Sequence, residues 1–244
     1  MTEQYDAIGA RFEESKCTAA FSAADTFSLG RALGDVTGTP VLDLACGYGF
    51  NTRLLAERGA RPLVGVDVSV EMIRLAQKYE ARCPMGIDYV IADVADLPPL
   101  GRFDLATAVY LFNYASSRAT LRAMFRSIRA NLTGHGRLLA IVPRPTPFPE
   151  GNYEEFGLRI LERVPGAEVP LIRQEFTTDP PTPLEDYEWP LADYELAATQ
   201  AGFARVRWSP IRTPPPDAVR DETFWRRYRE NPVSCLMTAT GGDR

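Results

Sequence analysis

The stretch VLDLACGYGFNTRLL, Val41 to Leu55, reads as strand, turn and helix in immediate succession. An apolar run ends at Leu44. Gly47 and Gly49 punctuate a tight turn, and Phe50, Leu54 and Leu55 open a helical pattern that stops at Gly59. Glycine turns the chain sharply and lets another group approach the backbone. The stretch therefore asks what is held against its turn.

Outward from it, short apolar runs alternate with helical patterns. Strands are expected at Pro40–Leu44, Pro62–Asp67, Ile87–Ala92, Phe103–Val109 and Gly136–Val142, rich in Val, Ile and Leu as strands buried on both faces are. Ser69 can cap a helix carrying Met72, Ile73, Ala76 and Tyr79. Leu121, Met124, Phe125, Ile128 and Leu132 recur at helical spacing. Strand–helix alternation of this kind implies an α/β fold with a doubly wound, mostly parallel sheet. A helix at Leu191–Ala201 and antiparallel strands at Phe203–Trp208 and Ser234–Thr240 are expected to complete it. The chain thus reads as one domain: a helical lid over 1–35, a binding core over 36–142, a small cap over 143–190 and a C-terminal part over 191–244. Proline clusters at Pro143–Pro149, Asp179–Pro183 and Pro214–Pro216 read as loops.

Composition narrows the function. The chain has 244 residues, 45% hydrophobic and 24% charged, with a formal net charge of −5. No basic face is forced, so nucleic acid is not an expected partner. No leader and no long apolar run is read, which points to a cytoplasmic protein with no membrane partner. Cys17, Cys46, Cys83 and Cys235 are scattered and read as reduced thiols, Cys46 as a packing residue, and no metal site is expected. Of the 27 basic residues only Lys16 and Lys78 are lysines, as in a GC-rich, bacterial genome.

Two ligands suit the turn: a dinucleotide, or S-adenosylmethionine (SAM). A dinucleotide fingerprint asks for a third glycine where this chain has Thr52. Asp43, four residues before Gly47, has little use beside a pyrophosphate but suits an ammonium. SAM carries an ammonium and a carboxylate, and the carboxylate can face the amides that open the Phe50 helix. Asp67 ends the second strand, where it can accept ribose hydroxyls. Asp93 ends the third, where it can accept from an adenine amino group while Val94 offers a backbone donor. Three acids at three strand ends mark the carboxyl edge of the sheet, where such folds bind ligands.

VLDLACGYGF, VGVDVSVEMI, IADVADLP and FDLATAVYLFNYA resemble, in order, the motifs of class I SAM-dependent methyltransferases, a Rossmann-like family. YDAIGARFE, LFNYA, TDPP and YEWPLADYELAATQAGF further resemble the toxoflavin-pathway N-methyltransferases, which act on a fused azapteridine ring. The resemblance implies that Asp43, Ala45, Gly47 and Gly49 line the methionine end of SAM. Asp67 would hold the ribose, Val68 and Met72 would flank the adenine, and Asp93 and Val94 would read its edge. Val109 and Tyr110 would lie near the transferring methyl, and Tyr5 would belong to a lid.

Methyl transfer from an activated donor needs alignment and water exclusion. Tyr5, Phe12, Tyr110, Tyr153, Tyr187 and Trp189 are the aromatic candidates for a slot around a small heteroaromatic acceptor, with Tyr5, Tyr110 and Trp189 foremost. His135 reads as a surface residue in a turn before the fifth strand. Asp186, Glu188 or Glu154 can supply an acid from the cap. The expected function is N-methylation in antibiotic-like biosynthesis. The alternatives are O- or C-methylation of another small molecule, an NAD-dependent oxidoreductase, or a SAM-binding protein without turnover. The oligomeric state stays open.

Overall fold

The structure, a computed structural model, describes residues 19–144 and 153–242. Helix α1 (Ala20–Leu33) ends at Gly34. The alternating core follows: β1 (Val41–Leu44), α2 (Phe50–Glu57), β2 (Leu63–Asp67), α3 (Val70–Arg82), β3 (Ile87–Ile91), β4 (Phe103–Val109), α4 (Arg118–Asn131) and β5 (Leu132–Pro143). Then come β6 (Leu158–Val164), β7 (Leu171–Phe176), β8 (Thr182–Tyr187), α5 (Leu191–Gln200), β9 (Phe203–Pro210), α6 (Glu222–Glu230) and β10 (Ser234–Gly241).

Seven strands form the main sheet in the order β3-β2-β1-β4-β5-β10-β9. The first five run parallel, and β10 runs antiparallel to both β5 and β9. Alternation along the strands feeds two cores. Leu139 and Ile141 of β5 pack on the side of α1 and α2, while Leu138, Ala140 and Val142 pack on the other. Burial on both faces is why these strands read as continuous apolar runs. On the second face, α4 lays Leu121, Met124, Phe125 and Ile128 against the sheet, and Phe125 stacks on Phe112 with ring centroids 4.2 Å apart. Ser69 caps α3 as its position predicts, accepting from Met72 N at 3.2 Å.

Two features depart from expectation, and one helix has no counterpart among the expected elements. Strand β5 begins at Leu132, with a register shift against β4 between Phe103 and Leu105, so exposed His135 lies in the irregular start of a strand and not in a turn. The cap contains a separate antiparallel sheet, β6-β7-β8, where proline clusters suggested only loops. Pro183 is tolerated because β8 is an edge strand, where a missing N–H breaks no ladder. The arginine-rich 222–230 segment is helix α6. Asp221 caps it, accepting from Phe224 N at 2.7 Å, and Trp225 and Tyr228 are its buried face.

Candidate active site

Order β2-β1-β4 reverses direction of travel at β1, which opens a crevice at the carboxyl ends of these strands. The turn after β1 lies there. Ala45 (φ 52), Gly47 (φ 55) and Gly49 (φ 82) all adopt positive φ, and Ala45 does so against its side chain's preference. The turn is tied down from β2: Asp67 Oδ2 accepts from Gly47 N at 2.8 Å, and Oδ1 accepts from Ser69 N at 2.9 Å. Gly49 is required twice over, since a Cβ there would collide with the Tyr89 hydroxyl.

Ala45, Gly47, Asp67, Val68, Met72, Asp93, Val94, Val109 and Tyr110 come together around a cavity of about 340 Å³, ordinary for a small-molecule site. Asp43 and Gly49 do not line it. Asp43 is buried behind the turn, with Thr52 Oγ1 donating to its Oδ2 and Thr107 Oγ1 to its Oδ1, both at 2.6 Å. Its carboxylate braces β1, α2 and β4 rather than presenting to the cavity. That gives Thr52, the departure from the third glycine, its purpose. Asn51, Tyr114, Thr120 and Met124 also line the cavity and escaped the sequence reading. Asn51 Oδ1 is buried with no partner among the described residues. The lining includes Asp67 and Asp93 but no lysine or arginine among the described residues, a poor lining for a pyrophosphate and a good one for a cation. Burial and then the charges of Asp67 and Asp43 push the Cys46 thiol well up, which keeps it an unreactive S–H.

A second cavity adjoins the first, and Tyr110 and Tyr114 line both. The inward face of the cap sheet roofs it with Leu158, Ile160, Ile172, Phe176 and Leu184, while Phe21, Tyr153 and Val233 close other sides. Asp186, Gln174 and Asn113 form its polar end, and Glu188 and Arg144 also line it. Asp186 Oδ2 accepts from Gln174 Nε2 at 2.8 Å and from Asn113 Nδ2 at 3.1 Å. Burial pushes this carboxyl up to about 7, against the pull of those two donors. Tyr110, at φ 57, donates its hydroxyl to Asp25 Oδ2 at 2.6 Å; burial and the Asp25 charge push the phenol well up, so it remains a donor.

Trp189 does not reach either cavity. It is buried, and its indole N–H donates to Ala115 O at 2.9 Å, so it packs the core beneath the cap instead of shaping a slot. Tyr187 likewise lies off both linings, whereas Tyr153 is in the second. Glu154 pairs with Arg159 away from the cavity. Tyr5 and Phe12 lie outside the described residues.

A family model for a methyltransferase domain matches residues 41–136, the stretch that builds the first cavity. The chain is 30% identical over 190 residues to the N-demethylindolmycin N-methyltransferase of Streptomyces griseus, covering 76% of this chain and 78% of that one. The chain belongs to the methyltransferase family. This methyltransferase is also 32% identical over 168 residues to the demethylmenaquinone methyltransferase of Corynebacterium urealyticum, covering 66% and 67% of the two chains. Over two other curated relatives the match spans 43% and 36% of their length. Among solved structures, DhpI in complex with S-adenosylhomocysteine superposes with a TM-score of 0.61 over 100% of this chain and 96% of that one, at 18% identity, a likeness of fold. The methyltransferase is SAM-dependent, and the nicotinamide alternative falls with that finding. No described helix is long and apolar enough to cross a membrane.

Proposed function

We propose that the methyltransferase N-methylates a small, flat heteroaromatic acceptor of azapteridine type, bound in the second cavity and facing the first across Tyr110 and Tyr114. One observation carries the reading: a largely apolar cavity, with Asp186, Gln174 and Asn113 together in its lining, abuts the cofactor cavity at two tyrosines. Apolar walls suit the faces of a flat ring, and the polar end suits one edge of it. The name of the Streptomyces griseus relative, an N-methyltransferase, supports nitrogen as the receiving atom.

In this reading the residues around the first cavity hold SAM. Asp67, which lies at its wall and is 9% exposed, accepts from ribose hydroxyls in this reading. Val68 and Met72 flank the adenine, Asp93 and Val94 meet its edge, and Ala45, Gly47 and Asn51 meet the methionine end. Bound SAM supplies an activated methyl, so the chain has only to align the acceptor and exclude water. Val109, the last residue of β4, lines the first cavity, and Tyr110 after it lines both.

Calorimetric titration with S-adenosylhomocysteine and with NAD tests the cofactor side. Micromolar binding of the former alone is expected, weakened at least about tenfold by Asp67→Ala, since a buried acceptor lost to two hydroxyls costs more than about 1.4 kcal/mol. Methyl transfer to demethylated azapteridines tests the acceptor side. NAD binding alone, or unchanged affinity in the variant, would overturn the site assignment.

A further inference from the structure

The inward face of the cap sheet alternates as a sheet over a core should, interrupted by two polar residues, Gln174 and Asp186. Leu158, Ile160, Ile172, Phe176 and Leu184 point in, while Arg159, Leu161, Arg173 and Glu185 point out. Asp186 also points in. Its register partner on β7 is apolar Ile172, and it is 6% exposed. A buried carboxylate is costly unless paired with a cation, and among the described residues no cation pairs with this one: its two donors there are the neutral amides of Gln174 and Asn113. Both reach the same oxygen, Oδ2. Oδ1 accepts no hydrogen bond among the described residues. Asn113 supplies a second observation. With its amide nitrogen on Asp186, its Oδ1 is buried in the same cavity wall with no partner among the described residues. The polar end of the cavity therefore holds two acceptor oxygens without a donor among the described residues, Asn113 Oδ1 being the more deeply buried. Asn113 also belongs to the turn Phe112–Tyr114, which begins two residues after Tyr110 and ends in Tyr114, and both tyrosines line both cavities.

We propose that Asp186 is the proton acceptor of the methyl transfer, and that with Asn113 Oδ1 it selects acceptors that present N–H groups along one ring edge. The proposal rests on the second cavity being the acceptor site. A ring N–H proton passes to Asp186 Oδ1. The electron pair released into the ring forms the new N–CH₃ bond, the methyl–sulfur bond breaks, and its pair stays on sulfur as the thioether of S-adenosylhomocysteine. Asp186 then gives the proton to water. A carboxyl poised near neutrality is suited to this exchange. The charged and titratable groups around it are Glu188, which raises it further and is itself paired with Arg163, Tyr194 from α5, and Arg144, Tyr110, Tyr114 and Tyr153 in the cavity wall.

Were Asp186 only a strut between β8 and the Phe112–Tyr114 turn, an amide would serve as well, because an asparagine oxygen can accept from Gln174 and Asn113 alike. Asp186→Asn separates the two roles. The probes are a demethylated azapteridine dione with ring N–H groups and its counterpart methylated at every one of them. Wild-type turnover of the first should rise with pH along a limb centred near 7. D186N should lose at least about 100-fold in kcat at pH 8 and lose the limb, with S-adenosylhomocysteine affinity held within about threefold as proof of folding. Gln174→Met removes one donor from the carboxylate and should move the limb to higher pH. Wild type should prefer the N–H probe over the methylated one by at least about tenfold in affinity, and D186N should lose that preference. A limb that persists in D186N belongs to the acceptor itself and overturns the proposal, as does a kcat within about threefold of wild type. If wild type binds S-adenosylhomocysteine but neither binds nor methylates the N–H probe, the acceptor reading fails and this inference with it.

Discussion

Tyr110 occupies φ 57, a region that costs a non-glycine residue on the order of 1 kcal/mol, and its hydroxyl shows what holds it there. Asp25 reaches out from α1 to accept from Tyr110, and Ser234 Oγ from β10 donates to the other oxygen at 2.5 Å. Three elements distant in sequence thus meet at one buried carboxylate. Tyr110→Phe keeps the ring that lines both cavities and removes one donor from Asp25. It should cost roughly 1–3 kcal/mol in urea unfolding and leave S-adenosylhomocysteine affinity nearly unchanged. Unaltered stability would show that the contact does not hold the strained backbone. At this scale the sequence located residues better than it assigned their tasks. Asp67, Val68, Met72 and Asp93 reach the cavity from strand ends or helix starts, where position along the chain implies direction. Asp43 occupies an equally suggestive strand end. Its carboxylate instead turns inward to Thr52 and Thr107, partners nine and sixty-four residues away that no local pattern connects. Trp189 was misplaced for a related reason: an aromatic in a cap can face the slot or the core, and composition does not distinguish them.

At the scale of elements, β1 to β5 were legible because burial on both faces makes their sequences continuously apolar. The cap strands were not, because each has a polar outer face and the inner face is interrupted by Gln174 and Asp186. Exposed Leu161, and Pro183 within β8, blur the alternation further. The two faces should respond differently to mutation. Outside, Arg173 bridges Glu162 at 2.8 Å and Glu185 at 2.9 Å, both in solvent. Such pairs are screened and add little, so Arg173→Ala should leave the urea midpoint within error of wild type. Inside, Leu184 is 5% exposed against Phe21 and its neighbours' cluster. Leu184→Ala should cost about 2–4 kcal/mol and also loosen acceptor binding by enlarging the cavity. The opposite ranking would mean that the outer ion pairs, not the inner face, hold the cap sheet together.

Over the whole molecule, the parallel sheet provides a cofactor crevice from its strand ends, and the cap sheet encloses a second space beside it. That enclosure has a thermodynamic consequence that any unfolding experiment can read. Asp186 is raised from an ordinary value of 3.8 to about 7 by burial, so the folded state binds its proton more tightly than the unfolded chain does. The sign follows from proton linkage. Its stabilising contribution is fully present below about pH 4, declines as pH rises, and is gone above about pH 7, where the folded protein holds a poorly solvated anion. Between those limits this one group should remove on the order of 2–4 kcal/mol of stability. Other carboxylates and tyrosines titrate too, so the informative quantity is a difference of differences. Urea midpoints measured at pH 5 and pH 8 should lie further apart in wild type than in D186N, and at pH 8 the variant should be the more stable protein. A stabilising change that abolishes turnover would mark Asp186 as a residue retained for chemistry at the expense of the fold. Equal gaps in the two proteins would mean the carboxyl is solvated after all, and its poise for proton transfer would go with it.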